Sequence, residues 1–138
     1  MVPYLQSANE QTVLIAQLES PSAIEQAEAI ASVPGIDVVM IGPGDLSVVA
    51  GIPYQFDHPI ITQAYRSVAV AAKRTGKAWG TVSGTPEHTR QLLDLGARFL
   101  CHGCDLIMVK QGMEQIQQRY APLGFTFDNL LARSPETT

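Results

Sequence analysis

Glu19 and Asp45 each stand where an apolar run ends. Val38-Val39-Met40-Ile41 leads into Gly42-Pro43-Gly44-Asp45-Leu46-Ser47, and Val13-Leu14-Ile15-Ala16-Gln17-Leu18 leads into Glu19-Ser20, with a helix-like segment between them. Short runs this apolar read as buried parallel strands, and α/β proteins gather catalytic and binding groups at the C-terminal ends of such strands. Two acids so placed can share one divalent cation. Gln17 lies two residues before Glu19, so the period of a strand puts both on one face. Taken singly, Glu19 is an ordinary polar strand end, Asp45 a turn or cap residue and Gln17 a hydrogen-bonded interior amide. The pairing at successive strand ends is what points to a site.

The elements that must position these groups are marked by helix stops and starts. Val33-Pro34-Gly35, Thr75-Gly76 and Leu95-Gly96 each close a helix-like segment with a glycine just before an apolar run, the chemistry of a helix-to-strand turn. Ser22 with Glu25 has capping-box spacing, and Thr85-Pro86 sets a capping hydroxyl before a first-turn proline. Helices are predicted over Ser22–Val33, Ile60–Thr75, Pro86–Leu95 and Met108–Tyr120, and strands over Val13–Gln17, Val38–Ile41, Trp79–Val82 and Phe99–His102. The alternation implies an α/β fold with a parallel sheet and right-handed crossovers. Ser47–Pro59 reads as a long connection of the kind that carries function. Four βα units are about half of a closed (β/α)8 barrel, which typically needs about 250 residues. An open sheet of four strands would leave two unpaired edges and an uncovered apolar face.

With 138 residues, 46% apolar and 16% charged, the chain is sized for one globular domain. The net charge of −4, with Lys and Arg scattered, argues against a nucleic-acid partner. No apolar stretch reaches the roughly 18–20 residues of a membrane span, and Met1-Val2-Pro3-Tyr4-Leu5-Gln6 lacks the pattern of a signal peptide, so no membrane partner and a cytoplasmic location are expected.

Cys101-His102-Gly103-Cys104 has C-x-x-C spacing but no second Cys pair, and a cysteine in a buried strand behaves as a small hydrophobe. A metal or redox role is therefore not assigned, and His102 reads as a satisfied structural histidine. Asp57-His58-Pro59 reads as a helix-starting turn. Lys77 and Arg98 fall at the N-terminal ends of their strands, where barrel residues serve stability. Asp105 ends the last strand and could bond loop backbone.

Ala8-Asn9-Glu10, Ala16-Gln17-Leu18-Glu19-Ser20, Ile41-Gly42-Pro43-Gly44-Asp45-Leu46-Ser47, Asp57-His58-Pro59, Gly76-Lys77 and Leu95-Gly96-Ala97-Arg98-Phe99, in this order, closely resemble the HpcH/HpaI aldolase family of class II pyruvate-type aldolases. The resemblance runs from about Pro3 to Tyr120 and implies the C-terminal half of a TIM (β/α)8 barrel. On that basis residues 1–124 are expected to form a half-barrel of four βα units, and 125–138 a frayed tail.

The resemblance further implies a divalent metal, Mg²⁺ or Mn²⁺, held by Glu19 and Asp45, with Gln17, Gly44 and Asp45 lining the place of a pyruvate moiety. It implies reversible cleavage of 2-keto-4-hydroxy acids, the keto acid being the small-molecule partner. The Arg and His of the family's charge-stabilising and acid/base machinery match no residue of this chain, so no catalytic residue is assigned. His102 and Cys104 replace residues that are usually apolar. Relatives form hexamers that exchange their last helix, so a homo-oligomer or a complementing N-terminal half-barrel is the expected partner. A catalytically silent half-barrel acting as an assembly module is the rival reading. A citrate-lyase or malyl-CoA-lyase type member is a third.

Overall fold

The computed structural model describes residues 2–126, which divide into two compact units, one ending at His102 and the other beginning at Gly103. Residues 127–138, most of the segment expected as a tail, lie outside the described residues. In the first unit the order is α1 (Val2–Gln11), β1 (Ile15–Leu18), α2 (Pro21–Glu25), α3 (Ala27–Ala31), β2 (Val38–Ile41), α4 (Pro43–Val49), α5 (Pro59–Thr75), β3 (Ala78–Val82), α6 (Pro86–Asp94) and β4 (Phe99–Cys101). The second unit holds α7 (Asp105–Tyr120) and a single 3-10 turn, Ala121–Leu123. The sheet is wholly parallel in the order β1-β2-β3-β4, which confirms the expected α/β alternation.

Strand alternation divides the sheet into two unlike faces. Ala16, Leu18, Val39, Ile41, Trp79 and Leu100 point into a core built with Ala31 of α3, Ile61, Tyr65 and Val68 of α5, and Leu92 of α6. Leu18, Val39, Ile41, Ile61 and Val68 are at most 1% exposed, and each such side chain contributes about 1.5–3 kcal/mol by leaving water. The opposite face carries Ile15, Gln17, Val38, Met40, Val82 and Cys101; contrary to the expectation of an uncovered apolar face, Val38 and Met40 at its centre are only 7% exposed, whereas Val82 at its end is 40% exposed.

Several element boundaries depart from expectation, each for a local reason. The helix expected over Ser22–Val33 is two short helices joined at Gln26. Its cap is Ser20, whose hydroxyl accepts from the Ala23 amide at 3.2 Å, rather than Ser22; Pro21, with φ already fixed, then serves as the first helical residue. β1 starts two residues later than predicted, because Val13 and Leu14 are 61% and 54% exposed and the pairing with β2 begins at Ile15↔Val38. Thr85 and His58 do cap their helices, accepting from His88 N at 3.1 Å and Ile60 N at 3.2 Å. The connection after Ser47 is shortened by α4, which the Gly-Pro-Gly sequence had masked as a turn. Gly35, Gly76 and Gly96 adopt the left-handed conformation their places demand, with φ of 92°, 70° and 84°.

Tyr65 carries a testable consequence of this packing. It is 4% exposed, and its hydroxyl has no hydrogen-bond partner among the described residues; the Thr81 hydroxyl donates to Ile41 O at 2.9 Å. Burial raises the phenol's pKa; the Thr81 hydroxyl works against this, and the negative charge of Asp57 adds to it. The folded state therefore favours the protonated ring. Stability is full below the unfolded phenol value of about 10 and is lost as pH rises through the higher folded value. Tyr65→Phe is expected to leave stability at pH 7 within about 1 kcal/mol, because the hydroxyl it removes is unpaired, and to flatten the alkaline loss. Urea titrations at neutral and alkaline pH check this; an equal alkaline loss in the variant contradicts it.

Candidate functional site

Gln17, Glu19 and Gly42 come together at the C-terminal ends of β1 and β2. Gln17 pairs with Met40 and Leu18 with Ile41, and Gly42 N continues the ladder by donating to Leu18 O at 3.1 Å, so Glu19 emerges beside Gly42. Gln17 Nε2 donates to Glu19 Oε1 at 2.6 Å, as expected of two residues on one face of the strand. Gly42 is where this pair rests. A Cβ there would overlap Glu19 Oε1 and fall 2.7 Å from Glu19 Cγ and 2.8 Å from Gln17 Nε2. The space a side chain would fill is already held by the carboxylate and its amide partner.

Gly42 is also the N-cap of α4, with Pro43 in the first turn and Asp45 acidic in that turn. Asp45 is exposed, Glu19 half-buried and Gln17 exposed, so both carboxylates are accessible at adjoining strand ends. Ser47, a buried polar residue of α4, donates from its hydroxyl to Gly44 O at 2.6 Å and accepts from Tyr54 N at 2.9 Å. Tyr54 has φ of 59°, the left-handed region, which costs a non-glycine residue of this size about 1–3 kcal/mol. Sequence reasoning assigned neither Gly42 nor Ser47 a role. Both lie inside the quoted motif, but their parts depend on a neighbouring strand and a loop rather than on local spacing.

Among the described residues no group of three or more His, Cys, Asp and Glu side chains is placed to hold a metal. The oxygen-donor side chains at this end of the sheet are Glu19, held by the Gln17 amide, and Asp45 in the first turn of α4. That set suits a hard cation such as Mg²⁺, which binds through one or two carboxylates, keeps several waters and accepts oxygens from a bound acid. By the chemistry of their oxygen donors Glu19 and Asp45 suit such an ion.

The other singled-out residues are placed elsewhere. His102 Nδ1 lies 2.7 Å from Ser83 O, a satisfied structural contact. Asp105 Oδ1 accepts from Leu106 N at 2.8 Å at the start of α7. Cys101 is half-buried on β4 and Cys104 is the exposed N-cap of α7; both thiols are free. No helix among the described residues is long and apolar enough to cross a membrane.

A parallel βα sheet with accessible acids at its C-terminal strand ends defines a segment of an α/β barrel whose site opens at that end. The comparisons narrow the class to a family. Residues 3–111 match the model for the HpcH/HpaI aldolase/citrate lyase family, and the chain belongs to it. It is 37% identical over 108 residues to a hydroxypyruvate/pyruvate aldolase of Delftia acidovorans, covering 78% of this chain and 40% of that protein. The structure of an HpcH/HpaI aldolase from Desulfitobacterium hafniense superposes with a TM-score of 0.76 at 27% identity, over 86% of this chain and 47% of the other. A family member from Burkholderia cenocepacia gives a TM-score of 0.75 at 32% identity, over 86% and 46% of the two chains. The chain thus spans less than half the length of these relatives.

Proposed function

We propose that this chain carries the metal-holding half of a class II pyruvate-type aldolase, a carbon–carbon lyase acting on 2-keto-4-hydroxy acids. In this reading residues 1–124 make up a C-terminal half-barrel, Glu19 and Asp45 hold Mg²⁺ or Mn²⁺, and Gln17 with the Gly44–Asp45 backbone lines the place of the pyruvate moiety. The observation that carries it is the packing of the Gln17–Glu19 pair on a glycine three residues before Asp45. The named aldolase of Delftia acidovorans supports the reaction class.

When bound, the divalent ion supplies Lewis-acid stabilisation of negative charge on a keto oxygen. The chain's own residues do the positioning. Gln17 fixes the Glu19 carboxylate with one amide proton and keeps its second proton for an acid oxygen of the ligand. The Gly44 and Asp45 amides lie in the first turn of α4, where backbone N–H groups have no helical acceptor and can face a carboxylate.

The edges of β1 and β4, unpaired among the described residues, favour a second reading, in which the half-barrel acts as an assembly module for a second copy or for an N-terminal half-barrel. Turnover separates the two. An oxyanion donor is worth about 10²–10³ in rate and general acid–base catalysis about 10²–10⁴. With no residue matching the family's Arg or His, the chain by itself is expected to release almost no pyruvate from a 4-hydroxy-2-keto acid in a lactate-dehydrogenase-coupled assay with Mg²⁺. Adding an N-terminal half-barrel from a relative is expected to raise the rate. No rise despite complex formation supports the assembly module, and metal-independent turnover contradicts the proposed site.

A further inference from the structure

We infer that Ser47 is a positioning residue that ties the loop over 50–56 to the Gly44–Asp45 turn, so that Tyr54 and the metal-holding carboxylate are set together. This deepens the reading of the site given above and rests on it for the identity of the ligand. Ser47 is fully buried, and its hydroxyl is used in both directions: it donates to Gly44 O at 2.6 Å and accepts from Tyr54 N at 2.9 Å, seven residues on. A serine that merely bonds back into its own helical turn uses only the first of these contacts. The backbone of the same residue makes a third, Ile52 N donating to Ser47 O at 2.9 Å. One residue therefore holds the loop at two points and the turn at one.

The conformation of Tyr54 shows what the clamp resists. Its φ of 59° is the only positive value at a non-glycine position among the described residues, and the ring is 72% exposed, so no burial of the side chain offsets the strain. What the loop gives Tyr54 in return is a backbone bond to a buried hydroxyl and an edge-to-face contact with Phe56, with ring centroids 6.1 Å apart. Strained backbone persists only where its surroundings determine it. Freed from Ser47, Tyr54 would relax to negative φ. Gly44 O would then lose its side-chain donor in the turn that carries Asp45.

The test compares Ser47→Ala, Ser47→Thr and Tyr54→Gly in the full chain, by amide NMR without metal and by Mn²⁺ titration. Ser47→Ala is expected to expose the Tyr54 amide to exchange, to shift the Gly44 and Asp45 amide resonances, and to weaken Mn²⁺ binding about 10-fold, the lower end of what a residue orienting a metal ligand contributes. Ser47→Thr keeps the hydroxyl and is expected to restore Mn²⁺ affinity to within about 3-fold. Tyr54→Gly keeps the amide donor while relieving the strain, and is expected to bind Mn²⁺ as the unaltered chain does and to melt at a higher temperature. A purely structural serine would lower the melting temperature of Ser47→Ala with the Asp45 resonance and Mn²⁺ affinity unmoved, which overturns the inference. If the unaltered chain binds no Mn²⁺, the metal reading fails, and the metal-free Asp45 and Tyr54 amides still decide whether Ser47 couples turn and loop. Should Ser47→Ala not fold, Ser47→Thr against Ser47→Val makes the same comparison, since only the hydroxyl differs between them.

Discussion

Replacing Glu19 and Asp45 together by alanine is expected to remove divalent-cation binding altogether, with Mn²⁺ affinity at least about 100-fold weaker by calorimetry. The scale follows from the site's composition. Losing a residue that only orients a metal ligand costs about 10–100-fold in affinity, and here the two carboxylates are the whole anionic complement of the proposed site. Glu19 just past β1 is half-buried and Asp45 in the first turn of α4 is exposed, so neither substitution opens a cavity, and the fold is expected to be retained. Equal Mn²⁺ affinity in the variant and the unaltered chain contradicts the assignment.

Gly42→Ala is expected to be the most damaging single-methyl change in the first unit's site. The added Cβ would fall on Glu19 Oε1 and within 2.8 Å of Gln17 Nε2, contacts closer than non-bonded atoms allow. Either the Gln17–Glu19 hydrogen bond breaks or the ends of β1 and β2 separate, at the point where Gly42 N still bonds Leu18 O. Mn²⁺ affinity is expected to fall about 10–100-fold. Gly44→Ala is the control, because nothing lies within 4 Å of a Cβ at that position and its φ is not in the left-handed range. It is expected to bind Mn²⁺ within about 2-fold of the unaltered chain, since the backbone amide is untouched. Equal effects of the two substitutions would mean that Gly42 has no special relation to Glu19.

The parts of the fold legible in the sequence are those fixed by local chemistry. β2 falls on Val38–Ile41 as expected, because a run of four apolar residues meets a glycine at its end. Thr85 before Pro86 marks the start of α6 through a cap and a proline that act within three residues. β1 was displaced because Val13 and Leu14 look like strand but are exposed, and where pairing begins is decided by β2 across the sheet. α1 was missed altogether, since Val2–Gln11 has neither an acidic first turn nor a basic last turn to announce it. At the site, Gln17 and Glu19 were legible together because strand period alone puts them on one face. Gly42 and Ser47 were not. The first matters for an atom it lacks, opposite a neighbouring strand, and the second for a bond to Tyr54 that only the folded loop brings near.

In the proposed site the keto acid would meet the metal ion that Glu19 and Asp45 hold, which makes the binding of the two ligands interdependent. The direct measurement is a calorimetric titration of Mn²⁺ into the chain with and without saturating pyruvate. Linkage requires that each ligand tighten the other by the same factor. The expected result is one Mn²⁺ per chain, bound about 10-fold more tightly with pyruvate present, a coupling of about 1.4 kcal/mol. Mn²⁺ binding that pyruvate leaves unchanged, or that persists in the Glu19→Ala/Asp45→Ala chain, would contradict it.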